Sequence, residues 1–141
     1  MSVSPAEWLA KADPDPEHAK RWLSSARILL LPLGRLWDVV KVPRLRGLAA
    51  VEMGVDGPVI HDPAGQAVFF LVPVGTAIVW DVDGTVCLGD ACYLATPVPV
   101  VKTPPGPHWL QAPDGSGQLV DPETLRDALT AVSMQSTVSG L

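Results

Sequence analysis

The sequence predicts a single α/β or α+β domain in which a central mixed or antiparallel sheet is flanked by helices. Its 141 residues are the length of one domain, and 48% of them are hydrophobic, which is enough for a core and argues against a disordered chain. Helix-start signals and short apolar runs alternate along the chain, as both fold classes require. Fifteen prolines and twelve glycines predict short elements joined by tight turns.

The N-terminal segment 4–26 is predicted to be helical. Residues 4–7 read Ser-Pro-Ala-Glu, which places an N-cap serine before a proline at the first helical position and a glutamate at the third. A short helix should follow this capping box. Asp15 comes after a proline-containing turn and can cap a second helix that ends near Ser25.

Residues 27–111 are predicted to form the sheet. The first two strands, 27–33 and 36–42, are separated by Gly34 and Arg35 and are rich in apolar residues. Such runs are typical of strands that are covered on both faces. The further predicted strands are 58–61, 67–72, 85–88, 91–96 and 107–111.

Helices and loops interrupt these strands. Pro43 can start a helix that stops near Gly54, whereas 74–80 fits either a helical turn or a strand. Five prolines within 97–107 predict an extended loop. Asp121 can cap a last helix over 121–132, so the domain is expected to span 1–132 and to be followed by a flexible tail at 133–141.

Positive charge is concentrated in one part of an acidic chain. The net charge is −5, yet residues 20–46 hold seven of the ten Lys and Arg residues and a single acid, Asp38, so this segment carries +6 and the remainder −11. We expect a basic face that binds a nucleic acid or an acidic protein partner. The candidate binding residues are Arg35, Lys41, Arg44 and Arg46, together with Trp37.

Two other interpretations of this clustered charge remain open as alternatives to a binding face. The cations could form an ordinary solvated surface, or they could complement the acidic surface of a second copy in a homo-oligomer. Of the five tryptophans, Trp37 is the best candidate for an exposed base-stacking platform, whereas Trp8 and Trp22 lie in the predicted amphipathic helices and are expected in the core.

Composition also bounds the compartment and the cofactors. The N-terminus has no apolar core of a signal peptide, and the longest apolar stretch is interrupted by Pro73 and Gly75, so we expect a cytoplasmic protein with no membrane partner. Cys87 and Cys92 lack the further ligands of a zinc site and are expected to be reduced, mostly buried thiols, with a hairpin disulfide or a redox role as the alternative. No cofactor is predicted.

Two runs of sequence indicate a family. Residues 63–73 read PAGQAVFFLVP and residues 89–99 read GDACYLATPVP. They resemble two strands of the bifunctional DNA primase/polymerase family, which has an archaeo-eukaryotic primase-type fold. The similarity extends over roughly 27–109 and rests on the order and spacing of these pieces. The resemblance implies a primase-polymerase-like fold.

The same resemblance places the family's catalytic groups at four positions of this chain. The family carries two carboxylates spaced one apart, a histidine and a third carboxylate, and clustered acids are what two divalent cations need. Here the paired acids fall at Lys41 and Pro43, the histidine at Ala67 and the third acid near Val86. The resemblance therefore implies a degenerate active site without a metal, and a protein that is not an enzyme.

A second resemblance is to small actinobacterial proteins that combine several of these features. They carry Trp-Asp after the first glycine, as at Trp37-Asp38, and end in a tryptophan followed by Asp-Gly-Ser-Gly and Asp-Pro. Trp109, residues 114–117 and Asp121-Pro122 match that pattern. This resemblance implies no particular activity.

One motif offers an enzymatic alternative. Residues 81–85 read Asp-Val-Asp-Gly-Thr after an apolar segment and resemble the first motif of haloacid-dehalogenase-type phosphatases, in which Asp81 would be the nucleophile and Asp83 a general acid beside Mg²⁺. The interpretation that involves no catalysis is an Asp-Gly turn.

The leading expectation for the whole chain is a non-catalytic, regulatory binding module. The alternatives are this Mg²⁺-dependent enzyme and a dimeric interaction protein.

Overall fold

Local capping signals and short apolar runs produce twelve elements. The computed structural model describes residues 3–139 of the chain. Its helices are α1 Pro5–Ala10, α2 Pro16–Ser25, α3 Arg44–Glu52, α4 Thr76–Val79 and α5 Pro122–Ser139. Its strands are β1 Ile28–Pro32, β2 Asp38–Pro43, β3 Val59–Asp62, β4 Ala67–Val72, β5 Val86–Leu88, β6 Tyr93–Pro97 and β7 His108–Gln111.

Five strands form the central sheet in the order β5-β2-β4-β3-β7, and every pairing is antiparallel. Because side chains alternate along each strand, the sheet has two apolar faces. The front face, which includes Val39 and Leu71, packs against α1, α2 and the β1–β6 pair. The back face, which includes Val40 and Phe70, is covered by α3 and α5. Antiparallel strands with helices on both sides make the domain α+β.

Strand β1 does not join the central sheet. It pairs with β6, which lies far along the chain, and Leu31 and Leu94 are buried on the inner side of this pair. Leu30 and Tyr93 point outward and are 63% and 65% exposed. The expectation that β1 is covered on both faces is therefore wrong, since a two-stranded sheet at the surface has only one side to bury.

Several sequence predictions are settled by these elements. The ambiguous segment 74–80 contains the helical turn α4, and the C-terminal helix continues to Ser139 instead of ending at 132. The rest of the predicted tail, 140–141, lies outside the described residues.

Trp8 is buried as expected, but Trp22 is 49% exposed, because its indole lies on the solvent side of α2 and donates to His18. Within residues 3–139, no helix is long and apolar enough to cross a membrane.

Candidate binding site at a corner of the central sheet

The four positions singled out by the family resemblance lie together in the fold. Lys41 of β2 is directly opposite Val86 of β5, and Pro43 of β2 is directly opposite Ala67 of β4. In-register neighbours share a face, and residues two apart on a strand do as well. All four side chains therefore belong to the front face, at one end of β2. We call this set, Lys41, Pro43, Ala67 and Val86, the corner.

The side chains at the corner attract anions and offer nothing to a divalent cation. Lys41 and Pro43 are exposed, Val86 is 55% exposed, and Ala67 is buried. None of the four has an oxygen ligand of the kind that Mg²⁺ requires, and a lysine ammonium only donates hydrogen bonds. Across residues 3–139, no three His, Cys, Asp or Glu side chains are grouped so that they could hold a metal ion.

The predicted basic residues are only partly brought together. Arg44 begins α3 directly after β2 and is exposed, so it lies at the same end of the strand as Lys41. Arg35 is exposed in the turn before β2. The six residues of β2 separate Arg35 from Arg44 by about 20 Å, because a strand rises about 3.3 Å per residue. The single basic face expected from the sequence is therefore divided.

Arg46 is engaged within the protein. Its guanidinium donates to the carbonyl oxygen of Asp83 at 2.6 Å and to that of Leu129 at 3.2 Å, and its Nε is buried without a partner in the described chain. These bonds tie α3 to the turn before β5 and to α5. We correct the expectation that Arg46 contacts a partner and leave it out of the candidate surface.

Trp37 is a core residue. Its side chain is 1% exposed and stacks on Trp8 of α1, with ring centroids 4.7 Å apart. The prediction of an exposed stacking platform is wrong because α1 covers the start of β2.

Asp38 is the residue whose role the sequence did not reveal. It is 2% exposed, and its Oδ2 accepts the backbone N–H groups of Gly75 and Ala77, both at 3.0 Å. These bonds fix the turn that leads into α4 and then to β5. A Cβ on Gly89 would lie 3.2 Å from Asp38 Oδ1, so a glycine at that position leaves space for the carboxylate.

The phosphatase-like motif forms a turn. Asp81 pairs with Arg126 of α5 at 2.7 Å, and Gly84 has a φ of +79°. Thr85 Oγ1 donates to the carbonyl oxygen of Val82 at 2.7 Å. The segment before the motif contains the helical turn α4, whereas the phosphatase motif has a strand there. The predicted Asp-Gly turn is present, but it joins a helix to a strand and not two strands.

Both cysteines are free thiols, as the sequence predicts. Cys87 lies on β5 and is directly opposite Val40 of β2. Burial raises its pKa from the ordinary 9.0 to about 12, and the nearby charge of Asp38 contributes to the rise. A thiol that stays protonated at neutral pH is a poor nucleophile and a poor metal ligand. Cys92 precedes β6 and is partly exposed.

Comparison with known proteins assigns no family to this arrangement. No protein-family model matches the chain, and neither a curated protein nor a solved structure is significantly similar to it.

Proposed function

We propose that this chain is a non-catalytic, regulatory binding domain on a primase-polymerase-like framework, and that its corner contacts an acidic segment of a protein partner. The observation that supports this most is the register of the central sheet. The four positions were picked out by a sequence resemblance alone, and they come from three separate strands. Their meeting at one corner is what a former catalytic centre would produce, and the residues now present favour binding over metal chemistry.

The charges favour a protein partner over a nucleic acid. Neutralising a phosphate backbone takes clustered Lys and Arg, and the whole chain has a net charge of −5. Several of its cations are engaged internally or far from the corner: Arg46 binds carbonyl groups, Arg126 pairs with Asp81, and Arg35 lies at the opposite end of β2. Of the four cations predicted to bind, Lys41 and Arg44 lie near the corner.

The apolar part of the corner also suits a protein. Val86, directly opposite Lys41 on β5, and Pro43, two residues further along β2, are both exposed. Strand β5 is an edge strand, so its outer backbone groups are not paired within the sheet. An extended segment that alternates acidic and apolar side chains and adds to this edge would place its acidic side chains together on the front face, where they can approach Lys41.

Titration with a peptide of alternating Glu and Val tests this proposal. The amide NMR signals of Lys41 and Val86 should shift on binding. Lys41→Glu combined with Arg44→Glu should weaken binding by about tenfold or more, because two attractive exposed contacts become repulsive. The matched control is Arg35→Glu combined with Lys102→Glu, which makes the same charge change elsewhere and should leave the affinity within about twofold.

A parallel titration with single-stranded DNA separates the two partner classes. Tighter binding of DNA, with an affinity that falls steeply as salt is added, would replace the protein partner with a nucleic acid. Binding of neither probe at the corner, or equal loss in the control variant, would reject the corner as the binding site.

A further inference from the structure

Two histidines form a pair on the back face of the sheet, the face opposite to that of the corner. His61 of β3 and His108 of β7 are directly opposite each other in the strand register. Their ring centroids are 5.0 Å apart, and the ring planes are inclined at 72°. His108 is 4% exposed, and His61 is partly buried.

The hydrogen bonds of the two rings leave one nitrogen of each available. His108 Nδ1 lies 2.9 Å from the carbonyl oxygen of Gly106, and only a protonated Nδ1 can donate to it. His108 Nε2 then carries a lone pair. His61 Nε2 is buried and has no hydrogen-bond partner within the described residues. A histidine whose Nδ1 is fixed by a backbone carbonyl is the usual arrangement of a metal ligand that binds through Nε2.

The ring separation fits a shared metal ion. With a metal–nitrogen distance of about 2.1 Å and about 1.1 Å from ring centre to nitrogen, an ion would lie about 3.2 Å from each centre. Two centres 5.0 Å apart then subtend an angle of about 100° at an ion bound by both Nε2 atoms, close to the tetrahedral value. Neutral imidazole suits Zn²⁺, Cu²⁺ and Ni²⁺ and not Mg²⁺.

We propose that His61 and His108 bind one Zn²⁺ ion through their Nε2 atoms, with water completing the coordination. Burial, the neighbouring His108 and the charge of Arg44 all lower the pKa of His61, and Asp62 opposes them. Asp62 is not a third ligand, because neighbouring residues of a strand lie on opposite faces of the sheet and Asp62, directly opposite Ala67, belongs to the front face.

Two protein ligands give a site of modest affinity. Closed structural zinc sites have four protein ligands and bind far more tightly, so we expect a dissociation constant on the order of 10 µM for this pair. The guanidinium of Arg44 repels the ion. Replacing it in Arg44→Gln should therefore strengthen Zn²⁺ binding by about threefold, which a purely structural histidine pair would not show.

Titration of the full chain with Zn²⁺ at pH 7 tests the proposal by calorimetry and by NMR of the histidine ring nitrogens. One ion should bind, and the Nε2 signals of His61 and His108 should both shift while those of His18 do not. His61→Gln and His108→Gln should each weaken binding by about tenfold or more. His18→Gln is the matched control and should bind as the parent does.

The ring-nitrogen spectra keep the test decisive even if a variant fails to fold, because they use the unaltered chain. Unshifted His61 and His108 signals at about 1 mM Zn²⁺ would overturn the proposal. So would undiminished binding in a folded His61→Gln or His108→Gln variant, which would assign the ion to other ligands.

Discussion

Placing carboxylates at the corner tests the proposed arrangement of its four positions, because acids that meet there should hold a metal ion. The perturbation is Lys41→Asp, Pro43→Asp and Val86→Asp in one variant. Directly opposed residues of antiparallel strands have Cβ atoms about 4.5–5.5 Å apart, and alternate residues of one strand lie about 6.6 Å apart. Carboxylates at these separations can meet at one ion with metal–oxygen distances of about 2.1 Å. We therefore expect the variant to bind Mn²⁺.

The size of the effect follows from the exposure of the corner. A weak, solvent-exposed site of three carboxylates should have a dissociation constant of about 0.1–1 mM. For about 0.3 mM, adding about 10 mM Mn²⁺ stabilises the folded state by about 2 kcal/mol, because the ion binds only that state. In a chain of 141 residues this raises Tm by about 6 °C. Without Mn²⁺, the new like charges should lower stability by up to about 1 kcal/mol per pair.

Thermal unfolding with and without Mn²⁺ measures this shift, and paramagnetic broadening of amide signals near residue 86 locates the ion. The control variant carries Arg35→Asp, Leu45→Asp and Val100→Asp, which change the charge equally at exposed positions of three different segments. A folded corner variant whose Tm responds to Mn²⁺ no more than this control would refute the geometry on which the proposed function rests.

Two further predictions concern the support of the corner from behind. Asp38→Ala leaves two backbone N–H groups of the α4 turn without their buried acceptor and should lower the free energy of unfolding by about 3 kcal/mol in urea denaturation, whereas the exposed Asp56→Ala should change it by less than about 0.5 kcal/mol. The second concerns Cys87, whose folded pKa of about 12 exceeds its ordinary 9.0. The folded state keeps a proton that the unfolded state releases, so the stability from the neutral thiol is complete below pH 9 and is lost as the pH rises toward 12. Between about pH 8 and 10.5 the parent chain should lose more stability than Cys87→Val, and equal losses would contradict the raised pKa.

Local signals in the sequence were sufficient to predict the residues at which the helices begin. Ser4 Oγ accepts the N–H of Glu7 at 3.1 Å, and Asp15 Oδ1 accepts that of His18 at 3.3 Å. Asp121 caps α5 in the same way through the N–H of Thr124. Each of these caps involves residues three apart, so the pattern that predicts it is complete within one turn of chain.

Which strands pair with each other could not be predicted from the sequence. The apolar runs of β1 and β2 look alike, yet β1 pairs with β6 and β2 pairs with β4 and β5. Periodicity gives the faces of a strand but not its neighbours or its register. For the same reason the burial of Trp37 and the engagement of Arg46 could not be predicted, because both depend on segments far away in the sequence: Trp37 on α1, and Arg46 on the turn before β5 and on α5.

The turns of this chain and its exposed corner are under different physical constraints. Gly34 has a φ of +88°, and a Cβ there would collide with Asp90, so its backbone conformation demands glycine. Lys41 and Val86 are exposed on the sheet, where many side chains are compatible with the strand. A chain can therefore change its corner at little cost in stability while its turns stay fixed. It follows that function has to be argued from the side chains at the corner, and not from the turns.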